Sequence, residues 1–244
     1  MPDSRILVHE RESVGSTQDE LRALAEAGAP AFTAVRADVQ HAGRGRRGRS
    51  WDAPPGTALL VSILLRPLRP AHELPVLSLA GGGAAAECAR TFGAAAQLSW
   101  PNDIVCGRRK LCGVLAELGP GGSVLLGVGM NLSAQVSDLP EPDRLVPTSL
   151  LLETGAAPAP QVALIALLDA LQPLAATFDA EGPPAIAARV RRLDALVGTG
   201  VELRLASGEV IAGSAAGIAD DGSLLVRTPE GVRPYASGEV VRLT

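Results

Sequence analysis

A series of short apolar runs separated by glycine and proline is the feature that most constrains the fold of this chain. Four runs of strand length lie at residues 96–100, 103–106, 110–118 and 123–130, and proline, glycine or a Gly-Pro-Gly-Gly turn separates them. Connections this short have no room for crossover helices. The pattern therefore predicts a mixed or antiparallel sheet and not a chain of parallel βαβ units.

Helical patterns flank the predicted sheet, which places the chain in the α+β class. The first helix begins at a predicted capping box of Thr17 and Glu20 and ends near Gly28. Further helices are predicted at residues 72–92, 161–178 and 184–193. Further strands are predicted at residues 6–8, 32–37 and 57–65.

The pattern of apolar and turn residues changes near residue 198. From there, short alternating runs lie between Ser-Gly, Asp-Gly and Glu-Gly pairs, which are typical of β-hairpin turns. The sequence therefore predicts two domains. Residues 1–195 form the larger α+β domain, and residues 196–244 form a small β-barrel.

Positive charge is concentrated in residues 40–51, which hold four arginines and three glycines, no acidic residue and a final tryptophan. The chain of 244 residues has a formal net charge of -4, so this basic segment is local. Guanidinium groups need anionic partners, and glycines let the backbone approach a ligand closely. A local cationic loop on an acidic chain favours a small polyanion such as a nucleotide over DNA.

The sequence favours a cytoplasmic protein. The N-terminus has no apolar core segment of a signal peptide, and no run of 18 apolar residues predicts a membrane span. The three cysteines are odd in number and lack the spacing of metal ligands. We expect reduced thiols and no association with a membrane.

Polar residues are concentrated in a few segments with apolar surroundings, at residues 16–18, 43–51, 100–103, 110–113 and 127–131. Each segment lies at a predicted strand end or turn, where sheet scaffolds usually carry their ligand-binding residues. Some of these residues also have ordinary structural interpretations. Ser16 and Thr17 suit helix caps, and Trp100 is expected to be core packing.

Taken in order, these motifs resemble the catalytic domain of biotin protein ligases. The glycine-arginine loop spans residues 43–51, Trp-Pro-Asn-Asp stands at 100–103, Lys-Leu-x-Gly at 110–113, and a Gly-x-Asn pattern ends at Asn131. The resemblance implies a class II synthetase-like domain with a C-terminal SH3-like barrel. It further implies ATP- and Mg²⁺-dependent transfer of biotin, through biotinyl-5′-AMP, to a lysine of the biotin carboxyl carrier protein of an acyl-CoA carboxylase.

The same resemblance implies roles for individual residues, by their positions in the motifs. Catalysis falls to Arg44, Arg46 and Lys110, which offset the repulsion between a carboxylate and a phosphate. Asp103 is the implied Mg²⁺ ligand. Biotin contacts are implied for Ser16, Thr17, Gln40, Gly43, Arg44, Lys110 and Gly113. Contacts with ATP or AMP are implied for Arg46, Arg49, Trp51, Asn102 and Asn131.

The chain departs from the family pattern at two positions. Ser99 stands where the family usually has lysine, and Gln18 stands where it usually has asparagine. The first ligase strand begins within ten residues of Met1. We therefore expect a monofunctional ligase without the DNA-binding domain that some relatives carry.

Several alternatives remain open at this point. A lipoate or octanoate ligase would share the fold and the acyl-adenylate chemistry, although the complete glycine-arginine loop favours biotin. A nucleic-acid-binding module could use the arginine loop, but the acidic net charge is unfavourable. An inactive relative is suggested only by Ser99. A homodimer is compatible with the resemblance and is not predicted by one sequence.

Overall fold

A mixed β-sheet forms the centre of the protein. The fold is that of a computed structural model, which describes residues 6–142 and 144–242. The central strands are β1 (Leu7–Val14), β2 (Thr33–Gln40), β3 (Ala58–Leu65), β4 (Ala96–Ser99), β5 (Asp103–Cys106), β6 (Arg109–Leu118), β7 (Val124–Asn131) and β8 (Val146–Pro147).

The strand order is β1-β2-β3-β7-β6-β5-β4, with the short β8 added beside β6. Strands β1 and β2 are parallel, as are β6 and β8. The remaining pairs are antiparallel. The prediction of a mixed, largely antiparallel sheet is confirmed.

Five α-helices accompany the sheet in the described part of the chain, and the predicted helices are all present. The short α3 was not predicted, although Ser149 caps its first turn and Gly155 ends it with a left-handed backbone. The predicted helix at 72–92 begins as a 3₁₀ turn, Ala71–Val76. The helices are α1 (Thr17–Glu26), α2 (Leu77–Thr91), α3 (Leu150–Thr154), α4 (Pro160–Glu181) and α5 (Pro183–Val190).

The two faces of the sheet differ in chemistry, because side chains alternate along each strand. On one face, Val61 and Ile63 of β3 belong to the main apolar core, against which α2, α4 and α5 pack. Ser62, between them, points to the other face, where α1 packs. Gly127 and Gly129 of β7 share that second face. The α1 face therefore has space above the strands.

Helix α2 lies unusually close to the sheet. Its residues Gly81, Gly82 and Gly83 are all buried. A Cβ atom on Gly81 would lie 2.7 Å from a methyl carbon of Leu126. The glycines therefore let the helix axis approach the strands, at the expense of intrinsic helix propensity.

By length and composition, α4 could cross a membrane, and it is the one such helix among the described residues. In the fold, however, it lies across the apolar face of the sheet beside α2. Leu167, Leu171 and Phe178 on this helix are buried in the main core. Its apolar character is that of a core helix.

A second, five-stranded antiparallel sheet follows, which confirms the predicted β-rich C-terminal region. Its strand order is β12-β11-β10-β9-β13, so the last strand returns to pair with the first. Glycine turns connect the hairpins, as the sequence pattern predicts. The strands are β9 (Gly200–Arg204), β10 (Val210–Ile218), β11 (Leu224–Thr228), β12 (Gly231–Tyr235) and β13 (Glu239–Arg242).

Trp100 joins the two sheets. Its side chain is 2% exposed, and its indole Nε1–H donates a hydrogen bond of 3.0 Å to the carbonyl of Gly222. Nearby, the backbone N–H of Ala195 donates to the carbonyl of Leu98 at 2.9 Å. The expectation that Trp100 is core packing is confirmed. The domain boundary at residue 195 remains a prediction.

Replacing Trp100 with phenylalanine should lower the free energy of unfolding by about 1–3 kcal/mol, because the Gly222 carbonyl loses its donor. Equilibrium urea denaturation, followed by circular dichroism, measures this difference. A denaturation curve that coincides with that of the unchanged protein would contradict a stabilising role for this contact.

Candidate active site

Two adjoining cavities lie on the α1 face of the sheet. The first, of about 100 Å³, lies above α1 and strands β3, β6 and β7. The second, of about 450 Å³, opens towards the loop before β8. Both are lined by Arg49, Ser50, Trp51 and Lys110. These four residues form a common wall between the cavities.

The floor of the first cavity is an uncharged network of hydrogen bonds. The backbone N–H and the hydroxyl of Thr17 lie 2.8 and 3.0 Å from Gln40 Oε1. The same hydroxyl lies 2.8 Å from Ser62 Oγ. Ser16 and Gln18 complete the polar lining. A neutral ligand with its own donors and acceptors suits this floor.

The predicted capping box of Thr17 and Glu20 is wrong by one residue. Ser16 is the N-cap of α1, and its hydroxyl accepts a hydrogen bond of 3.3 Å from the N–H of Gln18. Thr17 is already helical, and its hydroxyl binds Gln40 and not the helix end.

The arginine loop is a tight hairpin. The N–H of Trp51 donates to the carbonyl of Gly43 at 2.9 Å, and the N–H of Gly45 donates to that of Arg49 at 2.7 Å. Arg47 has a left-handed backbone with φ 59°. A Cβ atom on Gly43 would lie 2.3 Å from the backbone oxygen of Trp51. Position 43 therefore requires glycine for the loop to close.

The first arginine of the loop is tied to helix α1. Arg44 donates two hydrogen bonds to Asp19, of 2.8 and 2.7 Å. These bonds hold the pKa of the Asp19 carboxyl below its usual value and raise that of Arg44. Arg44 therefore lines the first cavity with its charge already paired.

Arg46 enters the first cavity and is the more desolvated of the loop cations. Its Nη1 donates to Asn102 Oδ1 at 3.1 Å, and Asn102 is itself fixed by a 2.9 Å bond to the carbonyl of Val114. Burial lowers the pKa of Arg46, and the neighbouring charge of Arg47 adds to this. A cation held this way gains from an anionic ligand.

The last two arginines of the loop bind the C-terminal sheet. Arg47 lies 3.2 Å from Glu239 at the start of β13, and Arg49 pairs with the same carboxylate. Arg144 approaches it at 3.7 Å. Burial alone would raise the pKa of Glu239, but the three guanidinium charges outweigh it and lower the pKa. The Glu239 carboxylate thus holds the loop closed.

Lys110 reaches the cavity because β6 contains a bulge. Lys110 and Gly113 are three residues apart, so a regular strand would turn them to opposite faces. Consecutive residues of β5 pair with Cys112 and Lys110, which leaves one residue of β6 unmatched. Both Lys110 and Gly113 consequently line the first cavity.

The carboxylate of Asp103 lies between two cations. Lys110 Nζ is 2.8 Å from one oxygen, and the Arg144 guanidinium binds the other. The Asp103 side chain is 3% exposed. No group of three or more metal-ligating side chains occurs within residues 6–142 and 144–242. Because both oxygens of Asp103 are already paired with cations, this carboxylate does not fit a resident Mg²⁺ site.

Trp51 occupies the space between the cavities. Its ring lies against Gly113 and Gly129, where a Cβ would approach to 3.1 and 2.5 Å. Lys110 Nζ lies 5.5 Å from the ring centroid. The indole Nε1–H is buried without a partner. The small volume of the first cavity follows from this position of the ring.

Asn131 lines the second cavity. Its Nδ2 donates a hydrogen bond of 2.8 Å to the carbonyl of Thr148, which fixes the chain that follows β8. Pro140, Glu141 and Pro147 complete one side of this cavity. It is the larger and more open of the two, and has room for a planar ligand.

The structure thus brings the sequence-predicted residues together at one site, although Gly43 supports Trp51 and lines neither cavity. Ser99 is buried on β4 outside both cavities. Four contributors were not predicted. Gln18 lies in a polar segment that the sequence analysis describes, and Glu239 directly follows one of the Ser-Gly turn pairs. Ser62 and Arg144 carry no sequence pattern that could have identified them.

A neutral polar pocket, an open cavity and a cationic wall between them define a protein that brings two ligands together, at least one of them anionic. Comparison with known protein families identifies this class more closely. Residues 12–132 match the biotin/lipoate A/B protein ligase family, and residues 197–243 match the biotin protein ligase C terminal domain.

Individual relatives extend the match over nearly the whole chain. The biotin–[acetyl-CoA-carboxylase] ligase of Mycobacterium tuberculosis is 33% identical over 235 residues, 94% of this chain and 86% of the relative. The bifunctional ligase/repressor BirA of Bacillus spizizenii is 30% identical over 235 residues, 94% of this chain and 72% of the relative.

A solved structure agrees with both. The biotin protein ligase from Aquifex aeolicus in complex with biotin and ATP superposes with a TM-score of 0.83 at 28% identity, over 97% of this chain and 98% of that one. The chain belongs to the biotin protein ligase family.

Gly43→Ala should open the arginine loop, because the added methyl group would meet the backbone oxygen of Trp51. Trypsin cuts after arginine, so limited proteolysis of residues 44–49 should become several-fold faster. Gly45→Ala is the matched control, since its Cβ would make ordinary contacts from 3.6 Å. Equal cleavage rates in the two variants would refute the packing role of Gly43.

Glu239→Gln should lower the free energy of unfolding by on the order of 1 kcal/mol at pH 7, as expected for a partly exposed ion-pair network. The folded-state pKa of Glu239 is lowered, so this contribution is complete above its unfolded pKa of about 4.3. It is lost as pH falls through the folded pKa.

Chemical denaturation of both proteins between pH 3 and about 7 tests this prediction. The difference between the two stabilities should shrink as the pH falls. Glu209→Gln, a change at an exposed position in the turn between β9 and β10, should leave stability unaltered throughout. A difference between the Glu239 variant and the parent that persists unchanged at low pH would contradict the ion-pair explanation.

Proposed function

We propose that this protein attaches biotin to a specific lysine of a biotin carboxyl carrier protein, with ATP as the energy source and biotinyl-5′-AMP as the intermediate. The observation that carries the proposal is the common wall of the two cavities. Arg49 and Lys110 lie there, and Arg46 lines the first cavity beside them. A carboxylate from one cavity and a phosphate from the other would meet at these cations.

In the first step, a carboxylate oxygen of biotin attacks the α-phosphorus of ATP. A carboxylate–phosphate anhydride bond forms, and pyrophosphate leaves. The nucleophile is already ionised at neutral pH, so this step needs no general base. It needs positive charge, because two anions must approach each other, and Arg44, Arg46 and Lys110 supply it.

The neutral floor of Ser16, Thr17 and Gln40 would hold the uncharged ring of biotin, while Gly113 lets the ligand approach the strand. Trp51, Asn102 and Asn131 would hold the nucleotide, with Arg49 near its phosphates. Trp51 offers a flat face for adenine.

In the second step, the neutral ε-amine of the carrier lysine attacks the acyl carbon. An amide bond forms, the bond from the acyl carbon to the phosphate oxygen breaks, and AMP leaves while the amine releases a proton. The mixed anhydride reacts readily with water. The closed hairpin of residues 43–51 would exclude water until the amine arrives.

We infer that Mg²⁺ enters with the phosphates of ATP and is not held in advance. Asp103 was the implied ligand, but both of its oxygens are ion-paired with Lys110 and Arg144. Magnesium commonly binds through substrate phosphates and water. In this arrangement, Asp103 positions Lys110 for the phosphate.

The state of the cysteines bears on the cell compartment of the proposed reaction. Cys88, Cys106 and Cys112 are all free and buried, and burial raises the pKa of Cys88 to about 12 and that of Cys106 to about 11. Unpaired thiols suit the reducing cytoplasm.

We place the catalytic domain at residues 1–195 and the SH3-like domain at 196–244. A homodimer remains a prediction for sedimentation analysis.

Biotin-dependent exchange of labelled pyrophosphate into ATP tests the first step. Exchange is expected with biotin and absent with lipoate or octanoate, which separates the proposal from the lipoate alternative. Exchange with lipoate alone would overturn it. Transfer to a purified carrier domain, detected by its mass shift, tests the second step.

Arg46→Ala should slow this exchange about 100-fold, the usual effect of removing one buried donor to a developing anion. Arg233→Ala removes the same side chain from an exposed position on β12 and should exchange at the parental rate. An unaltered rate for the Arg46 variant would remove that residue from the phosphate site.

A further inference from the structure

The amide of Gln18 has a fixed orientation beneath the first cavity. Its Nε2 donates to two backbone carbonyls, those of Leu115 at 3.4 Å and Leu125 at 3.3 Å. Turning the amide over would bring its oxygen against both carbonyl oxygens, which is repulsive. The nitrogen is therefore committed to the strands, and the oxygen is left on the other side.

That oxygen has no partner. Gln18 is 4% exposed, and its Oε1 is buried without a hydrogen bond. Only one other neutral side chain in the described part of the chain has such an atom, and it is Trp51, which lines the same cavity. An unsatisfied acceptor and an unsatisfied donor in one cavity indicate that a ligand completes both.

The other side-chain oxygens of the floor already take part in hydrogen bonds. Gln40 Oε1 accepts both the N–H and the hydroxyl of Thr17. Ser16 Oγ accepts the N–H of Gln18 as the helix cap, and the hydroxyls of Thr17 and Ser62 bond to each other. Gln18 Oε1 is the floor oxygen without any hydrogen bond, so an N–H group of a ligand gains most by binding there.

We propose that Gln18 determines the specificity for the ligand ring by accepting a hydrogen bond from a ureido N–H of biotin. The inference rests on the proposed function and names the group by which the ring is recognised. Lipoate and octanoate carry no N–H at the corresponding end. Bound in the first cavity, they would leave the buried oxygen unsatisfied and be rejected for that reason.

The test is a double comparison of protein and ligand by isothermal titration calorimetry. Gln18→Met removes the acceptor and keeps the length of the side chain. Two cyclic carbamate analogues of biotin, each with one ring N–H replaced by oxygen, remove the donor and keep the shape. Biotin should bind the variant at least about tenfold more weakly than it binds the parent.

The analogues locate the donor. The parent protein should bind one of the two carbamates at least about tenfold more weakly than biotin, and the variant should bind that analogue and biotin within about twofold of each other. Gln161→Met makes the same chemical change at an exposed position of α4 and should bind like the parent. Thermal unfolding without ligand shows whether the Gln18 variant is folded; if it is not, Gln18→Leu, which also removes the acceptor, takes its place.

The outcomes separate the two proposals. If the parent protein does not bind biotin, the proposed function fails. If parent and Gln18 variant bind biotin equally, or if both discriminate against the same carbamate to the same degree, only the assignment to Gln18 is overturned.

Discussion

The site of this protein depends on a sheet whose two faces differ in role. One face packs against the core, and the other lines the cavities. One face is covered by α2, α4 and α5 and closed by Val, Ile and Leu side chains. The other carries Ser62, Gly127 and Gly129 at alternating positions. Because strand side chains alternate strictly, each small residue on the α1 face stands between two large residues of the core. The first cavity lies over these small residues, whereas Leu64 and Leu125 on the same face pack against α1.

Charge places the second constraint on the site. Five cations line the two cavities: Arg44, Arg46, Arg49, Lys110 and Arg144. Buried or crowded cations are unstable without counter-charges. Asp103, Glu239 and Asp19 supply them, and each carboxylate belongs to a different element. The same pairs that neutralise these cations also determine the shape of the site. Glu239 joins the C-terminal sheet to the arginine loop.

Much of this could be predicted from the sequence. The short apolar runs predicted the sheet type, since turn residues and run lengths are local properties. From the motifs, the cations of the arginine loop, Lys110, Trp51 and Asn131 were expected at one site. The capping error at Thr17 has a different origin. A hydroxyl that can cap a helix can equally bind a neighbouring strand, and only the approach of Gln40 and Ser62 decides between them.

The residues that were missed depend on tertiary approach. Ser62 lies inside an apolar run, where nothing marks it as polar lining. Arg144 lies in an irregular loop, yet its guanidinium binds Asp103 and the carbonyl of Val240. Ser99, where the family usually has lysine, lines a third cavity of about 220 Å³, and the cations of that lining are Arg108 and Arg144.

Trp51 lies in the site and belongs to the arginine loop, so its position is related to the ion pairs of that loop. Its ring fills the space above Gly113 and Gly129, and its N–H has no partner. On the proposed function, a ring-shaped ligand in the first cavity would lie beside this indole. Trp51 is bonded through its backbone to Gly43, and three of the four arginines between them, Arg44, Arg47 and Arg49, pair with Asp19 or Glu239. An arriving phosphate can replace these carboxylates as a partner for the same guanidinium groups. Binding of the nucleotide and exchange of the ion pairs would then favour each other, since both act on residues 43–51.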